Sequence, residues 1–358
     1  MLFYINTQEL IHALSSVVPI ADMGQTLELS CVYIEARNGE VRFSVTDMNN
    51  SVRHTKAALI SEEGTCLVSA RKLHGVVKTF PDAAIEVSAS DKEVKVKCGK
   101  ISVDLPALDP KRFDPLVFVD TANGISMPFS TFSEITKMCV HCASTKDDRP
   151  TLTCVHIATK GDKLVFESTD SFKVIEVSIS FNGAEIDALV PAGFISKVAA
   201  LKAGKTINFA VDHNQIAFSD GEIEMGSSLN MGKFPNVEAV LKNTVLFNAL
   251  VDVSTLKTAL NRAVSIHANV VKLEADDGLI KVTGISDDDG TTYEEIACET
   301  SGDTSAKIYL SSNLLMQFVS SLCMQRVSVG LCGELKPLYV DSGTSRGIVM
   351  PVRAPEGW

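Results

Sequence analysis

The stretch STDSFKVIEV at 168–177 repeats the pattern of VTDMNNSVRH at 45–54: a Thr-Asp pair between apolar, strand-forming flanks, 123 positions earlier. A looser copy, ISDDDGTTYEEI, begins at Ile285. About twenty residues after each copy a second element recurs: LVSARKLHGVVKTF from Leu67, LVPAGFISKVAALKAG from Leu189 and IYLSSNLLMQFVSSL from Ile308. Each passes from a β-like run through a residue suited to starting a helix (Ser69, Pro191, Ser311) into apolar residues at helical spacing. Those starts lie 122 and 120 residues apart, a step that chance rarely keeps twice.

An earlier helix recurs as well, at 6–18, 129–142 and 251–264, with apolar stripes set by Leu10 and Leu14, by Phe132 and Ile135, and by Leu256 and Leu260. Alternating strands such as EVKVKC, NQIAF and RVSVGL lie between and after the helices. The pattern predicts an α+β chain of three tandem similar domains, each with two helices packed on antiparallel sheets. Turn residues in TANGIS and LKNTVLFN set the expected domains at 1–123, 124–245 and 246–358. Repeats this long exceed the 20–50 residues of solenoids, so each unit holds its own core.

Composition narrows the function. At 358 residues the chain is too long for one typical core, and 45% hydrophobic with 22% charged residues describes an ordinary globular protein. No basic leader precedes an apolar stretch and no run approaches the 18 apolar residues of a membrane span, so a cytoplasmic protein without membrane contact is expected. Nine scattered cysteines, an odd number, argue for a reducing compartment. CVHC at 139–142 has zinc-like spacing, but a tetrahedral site needs a second ligand pair, and Cys154 and His156 alternate along a strand. Two half-buried cysteines one helical turn apart is the favoured reading, with no metal and no cofactor. A net charge of −11 weighs against a protein that grips nucleic acid by charge alone, since such binding draws on clustered Lys and Arg.

With its tripled unit, DDRPTL at 147–152, GKFPNVEAVL at 232–241 and IVMPVR at 348–353, the chain resembles the bacterial DNA polymerase III beta subunits, the sliding clamps. The order and spacing of these motifs across the whole chain carry the resemblance. It implies clamp-type domains, with two chains forming a homodimeric ring around double-stranded DNA. It also implies a joint in which Lys72, Val76, Phe80, Val103 and Leu105 of one chain meet Ile266, Glu294 and Glu295 of the other; for the four apolar residues of the first set, a place in a monomer's core is an equal alternative. A ring holds DNA by topology and needs only a sparse basic lining, which answers the charge objection. Candidates for that lining are Arg71, Lys78, Lys137, Lys146, Arg149, Lys202 and Arg262. Two loops that are commonly basic in the family read PAGF (191–194) and DMGQTL here, which removes positive charge.

The resemblance further implies an apolar groove between the second and third domains that takes short peptide motifs of DNA polymerase and clamp-loader subunits. Matching positions are Leu152, Thr169, Ser171, Phe172, Lys173, Val174, Pro235, Val240, Leu335, Pro337, Ile348, Met350, Pro351, Val352 and Arg353. Ser171, Phe172, Lys173 and Val174 replace the family's usual Gly-His-Arg-Leu, Ala239 stands where an Arg is common, and Glu356 and Trp358 extend past the usual end. The second Thr-Asp turn is thus expected to wall the groove, and the first to lie in a domain without one. No catalytic residue is expected. The competing readings are a divergent second clamp copy, a repeat scaffold that does not bind DNA, and a hydrolase built on Asp287–Asp289. That last segment reads more simply as a solvated hairpin tip.

Overall fold

The computed structural model describes residues 1–201, 204–242, 244–286 and 288–355. It divides into two compact units: Met1–Phe132 with Lys197–Leu229, and Ser133–Ser196 with Asn230–Trp358. Seven α-helices occur among the described residues: α1 Thr7–Ala21, α2 Ala70–Val77, α3 Phe129–Val140, α4 Ala192–Ala199, α5 Val237–Leu241, α6 Val253–Ser265 and α7 Ser312–Ser321. Their starts follow the sequence signals. Asn6 accepts from the Gln8 amide ahead of α1, Asp252 from Thr255 ahead of α6, and Ser311 from Leu314 ahead of α7. α2, α4 and α7 each begin one residue after Ser69, Pro191 and Ser311. All six stripe residues, from Leu10 to Leu260, are buried. α3 ends at Val140, two residues earlier than its apolar pattern suggested.

Unit 1 is organised on one thirteen-stranded sheet, with α1 and α2 packed together. The sheet passes from the first repeat into the third-quarter segment of the chain through strand Asn50–Ala57, which pairs antiparallel with Ile223–Ser228. Unit 2 has a nine-stranded and a four-stranded sheet, with α6 packed on α7. Its larger sheet is joined in the same manner, Lys173–Ser180 pairing antiparallel with Ser345–Val349. The middle repeat therefore contributes strands to both units.

The Thr-Asp pairs are a turn device. Thr46 Oγ1 donates to the Asn50 carbonyl and accepts from the Met48 amide, while Asp47 accepts from the amides of Asn49 and Asn50. Thr169 and Asp170 make the same four bonds, to the Lys173 carbonyl and to the amides of Ser171, Phe172 and Lys173. The third residue of each turn takes a left-handed backbone, φ 81° at Met48 and 80° at Ser171. Side-chain groups that satisfy so many turn amides hold a conformation that a non-glycine residue otherwise avoids. In the third copy Ser286 accepts from the Asp289 amide and Ser286 pairs with Gly290 across a hairpin. The acidic run is a hairpin tip there, with Asp287 outside the described residues.

Cys139 and Cys142 are fully buried rather than half-buried. Burial pushes both thiols well above their ordinary range, the opposite of what a thiolate ligand needs. Cys142 falls beyond the end of α3, and no group of three metal-ligating side chains occurs among the described residues.

Candidate peptide groove and nucleic-acid face

The groove of unit 2 grows from the second Thr-Asp turn. Lys173 is buried, and its ammonium meets Asp170 Oδ2 at 2.6 Å, so the turn closes on a buried ion pair. Beside it opens a cavity of about 360 Å³, walled by Thr169, Ser171 and Val174 from the turn and its strand, and by Leu152 from the 3-10 turn Pro150–Thr153. Pro235, on the segment leading into α5, and Val240, within that helix, close the far side. Asn236 caps that helix by accepting from the Ala239 amide. Gly232 allows the segment to approach, since a Cβ there would lie 2.3 Å from Thr151 Cγ2. Val174, Val237, Leu241 and Ile348 form the apolar floor, with Phe234, Tyr339 and Met350 packed against it.

Phe172 and Lys173 border a neighbouring cavity of about 660 Å³, which shares Arg149 and Leu152 with the first and also takes in Lys146, Leu314 and Gln317. Phe172 is 58% exposed, and its carbonyl accepts from the Met350 amide. Pro351 and Val352 are half-buried, the Val352 amide donating to the Tyr309 carbonyl, and Arg353 is exposed. Leu335 sits in a turn, 74% exposed, and Pro337 is half-buried beside it; neither lines these two cavities. Glu356 and Trp358 lie outside the described residues. Thr151, Lys233, Asn236 and Val237 line the smaller cavity and were missed as site residues, although the last three stand inside the quoted GKFPNVEAVL. The first Thr-Asp turn is not grooveless either: Thr46, Met48 and Ser51 line a cavity of about 660 Å³ in unit 1.

Of the candidate basic lining, Arg71 is paired with Asp22 at 2.9 Å and Arg262 with Glu294 at 2.5 Å. Lys78, Lys137, Lys146 and Arg149 are exposed and carry no ion pair among the described residues. Lys202 lies outside them. Glu294, expected opposite Lys72, is thus already occupied within the chain, and Glu295 accepts from the Tyr293 hydroxyl. Lys72 is exposed, Val76, Val103 and Ile266 are half-buried, and Phe80 and Leu105 retain 7% and 8% exposure.

Three family patterns cover the chain. The DNA polymerase III beta subunit N-terminal domain matches residues 1–117, its central domain 126–236 and its C-terminal domain 243–353. The chain belongs to the DNA polymerase III beta subunit family. Beta sliding clamps of Staphylococcus epidermidis and Staphylococcus aureus are 21% and 22% identical to it, over 91% of this chain and 92% of theirs. Its fold is that of the sliding clamps: the Bacillus subtilis clamp superposes with a TM-score of 0.92 at 20% identity, and the Streptococcus pyogenes beta subunit with 0.92 at 22%. A Pseudomonas aeruginosa clamp bound to griselimycin matches with 0.90 at 22%. Each comparison covers 99% of this chain and 100% of the other. The chain keeps the three-domain clamp fold along its length.

Proposed function

We propose that this chain is half of a closed ring: two copies, joined head to tail, encircle duplex DNA. The unit 2 groove tethers DNA polymerase, clamp-loader subunits and other replication or repair proteins, and so confers processivity. It works in the cytoplasm as a non-catalytic subunit, with no cofactor.

One observation carries the reading. Both sheet joins within the chain pair the strand that follows a Thr-Asp turn with a closing strand of the next repeat: Asn50–Ala57 with Ile223–Ser228, and Lys173–Ser180 with Ser345–Val349. The corresponding third strands are Gly290–Ala297 and, closing the first repeat, Ile101–Leu108. Gly290–Ala297 is an end strand of its sheet, and Ile101–Leu108 pairs beyond its inner neighbour only through Ala107 and Leu108. Both present bare backbone edges, which proteins normally blunt or cover. Pairing each with a second copy satisfies them and closes the ring by the joint already used twice. Val76, Val103 and Ile266 are half-buried surface for that contact, whereas Phe80 and Leu105 are nearly core in a single chain.

The charge distribution suits encirclement. With a net charge of −11, and Arg71 and Arg262 each held by a carboxylate, Lys78, Lys137, Lys146 and Arg149 are too few to pin phosphates tightly. The groove suits a short extended peptide: an adaptable apolar floor containing Met350, with Arg149 and Lys233 at its rim.

Light scattering tests the joint. The chain should run at twice 38.5 kDa. A double variant, Ile101→Asp with Tyr293→Asp, at side chains 43% and 57% exposed, should leave each monomer folded and halve the mass. A dimer that survives the double change would rule out these two strands as the joint.

A further inference from the structure

The unit 1 cavity is built from the same segments as the unit 2 groove. Thr46 and Met48 stand where Thr169 and Ser171 do, and Leu29 ahead of strand Cys31–Arg37 where Leu152 stands ahead of Cys154–Lys160. The 113–117 strap takes the place of 233–237. Its floor is apolar and ordered: Cys31, Leu67 and Phe113 form a buried cluster, with Tyr33 stacked on Phe113 at 5.0 Å. The strap is fixed, because Arg53 donates to the Leu116 carbonyl at 2.9 Å and lies over the Phe118 ring. Met48 and Val117, at the mouth, are 76% and 83% exposed, and neighbouring Leu27 is 62% exposed. Such a preformed apolar cleft with a bare apolar rim is what an extended peptide needs in order to bind without a large ordering cost.

The charges at the two clefts are opposite. No carboxylate lines the smaller cavity of unit 2, where Arg149 and Lys233 stand. In unit 1 the one lining cation, Arg112, is consumed by Glu28 at 2.9 Å, and Asp114 is left with no ion pair among the described residues. We propose that this cavity is a second peptide-docking groove, taking an extended segment of a partner protein whose apolar anchor is flanked by Lys or Arg. The anchor rests on the Phe113 floor and the cation meets Asp114, so one clamp sorts two classes of tail by charge.

The test uses the full chain and two labelled hexapeptides with a shared Leu-Phe anchor, one flanked by two Lys and the other by two Asp. Binding of the Lys-flanked peptide should weaken at least tenfold in Met48→Lys and in Asp114→Lys, and stay unchanged in Ser171→Glu. The Asp-flanked peptide should show the reverse pattern. Lys-flanked binding that is absent, or indifferent to Met48→Lys and Asp114→Lys, overturns the second groove. If the Asp-flanked peptide still responds to Ser171→Glu in that case, the unit 2 groove stands independently.

Discussion

The two Thr-Asp turns share their hydrogen bonds and their left-handed third residue, yet they close on different chemistry. In unit 2 the fifth residue is Lys173, whose buried ammonium depends on Asp170; in unit 1 it is Asn50, whose neutral amide donates to both Asp47 oxygens. One backbone device therefore closes on an ion pair in unit 2 and on a carboxylate held only by amides in unit 1. The repeat fixes the turn, and its fifth residue decides whether the turn aspartate is neutralised.

The largest test of that difference removes each aspartate. Asp170→Ala strands a buried cation and should cost about 3–5 kcal/mol of stability. Asp47→Ala loses amide-to-carboxylate turn bonds without stranding a buried charge and should cost about 1.5–3 kcal/mol. Denaturant unfolding of the two variants measures both, and equal losses would break the comparison. Lys173→Met should be tolerated better than Asp170→Ala, because the Asp170 carboxylate keeps its two amide donors, as Asp47 does, whereas the Lys173 ammonium would keep no carboxylate.

Acid separates the units next. His54, on the joining strand of unit 1, is wholly buried, its Nδ1 against Ser16 Oγ at 2.8 Å and its Nε2 without a hydrogen-bond partner. Burial, then the Lys56 and His12 charges, lower its pKa from 6.5 to about 4. The unfolded chain then binds the proton first, so folded stability is full above pH 6.5 and falls by about 3 kcal/mol as pH drops to about 4. His156 in unit 2 behaves oppositely. Burial works to lower its pKa, but hydrogen bonds to Glu167 and Asp187 outweigh it and raise the value. Its contribution is present below pH 6.5 and is lost as pH rises through the raised value. The stability difference between His54→Gln and the native chain should therefore change with pH below 6.5, and that between His156→Gln and the native chain above 6.5.

Smaller effects sharpen the picture. Phe172→Ala should weaken an Asp-flanked peptide about tenfold through lost apolar contact, with no loss of stability from so exposed a ring. Unchanged affinity in a titration would remove Phe172 from the groove wall. Ser171→Gly should stabilise the chain by up to about 1 kcal/mol, since glycine accepts φ near 80° without strain. Calorimetry reads that shift.

Much of the fold was legible because repetition multiplies weak signals. Leu10, Phe132 and Leu256 mark stripes that one copy alone would leave ambiguous, and three helix starts at near-equal steps of 122 and 120 residues set the repeat. The groove was legible only in part. Leu152, Thr169, Ser171, Val174, Pro235 and Val240 converge on one cavity, but Leu335 projects into solvent because a turn residue's direction depends on loop geometry that no periodicity encodes. Arg71 and Arg262 read as free cations because their partners, Asp22 and Glu294, are distant in sequence. The unit 1 cleft was missed for a related reason: its walls at Leu29, Met48 and Val117 are far apart along the chain and ordinary in composition.

Encirclement is tested most directly on nicked circular DNA. The chain is loaded with its own clamp loader, freed of unbound protein, and the circle is then cut once with a restriction enzyme. A ring held by topology slides off the new ends, so the bound chain should be released on linearisation and retained on the uncut circle at the same salt. Equal retention on both would mean ordinary adhesion to phosphates and would contradict the account.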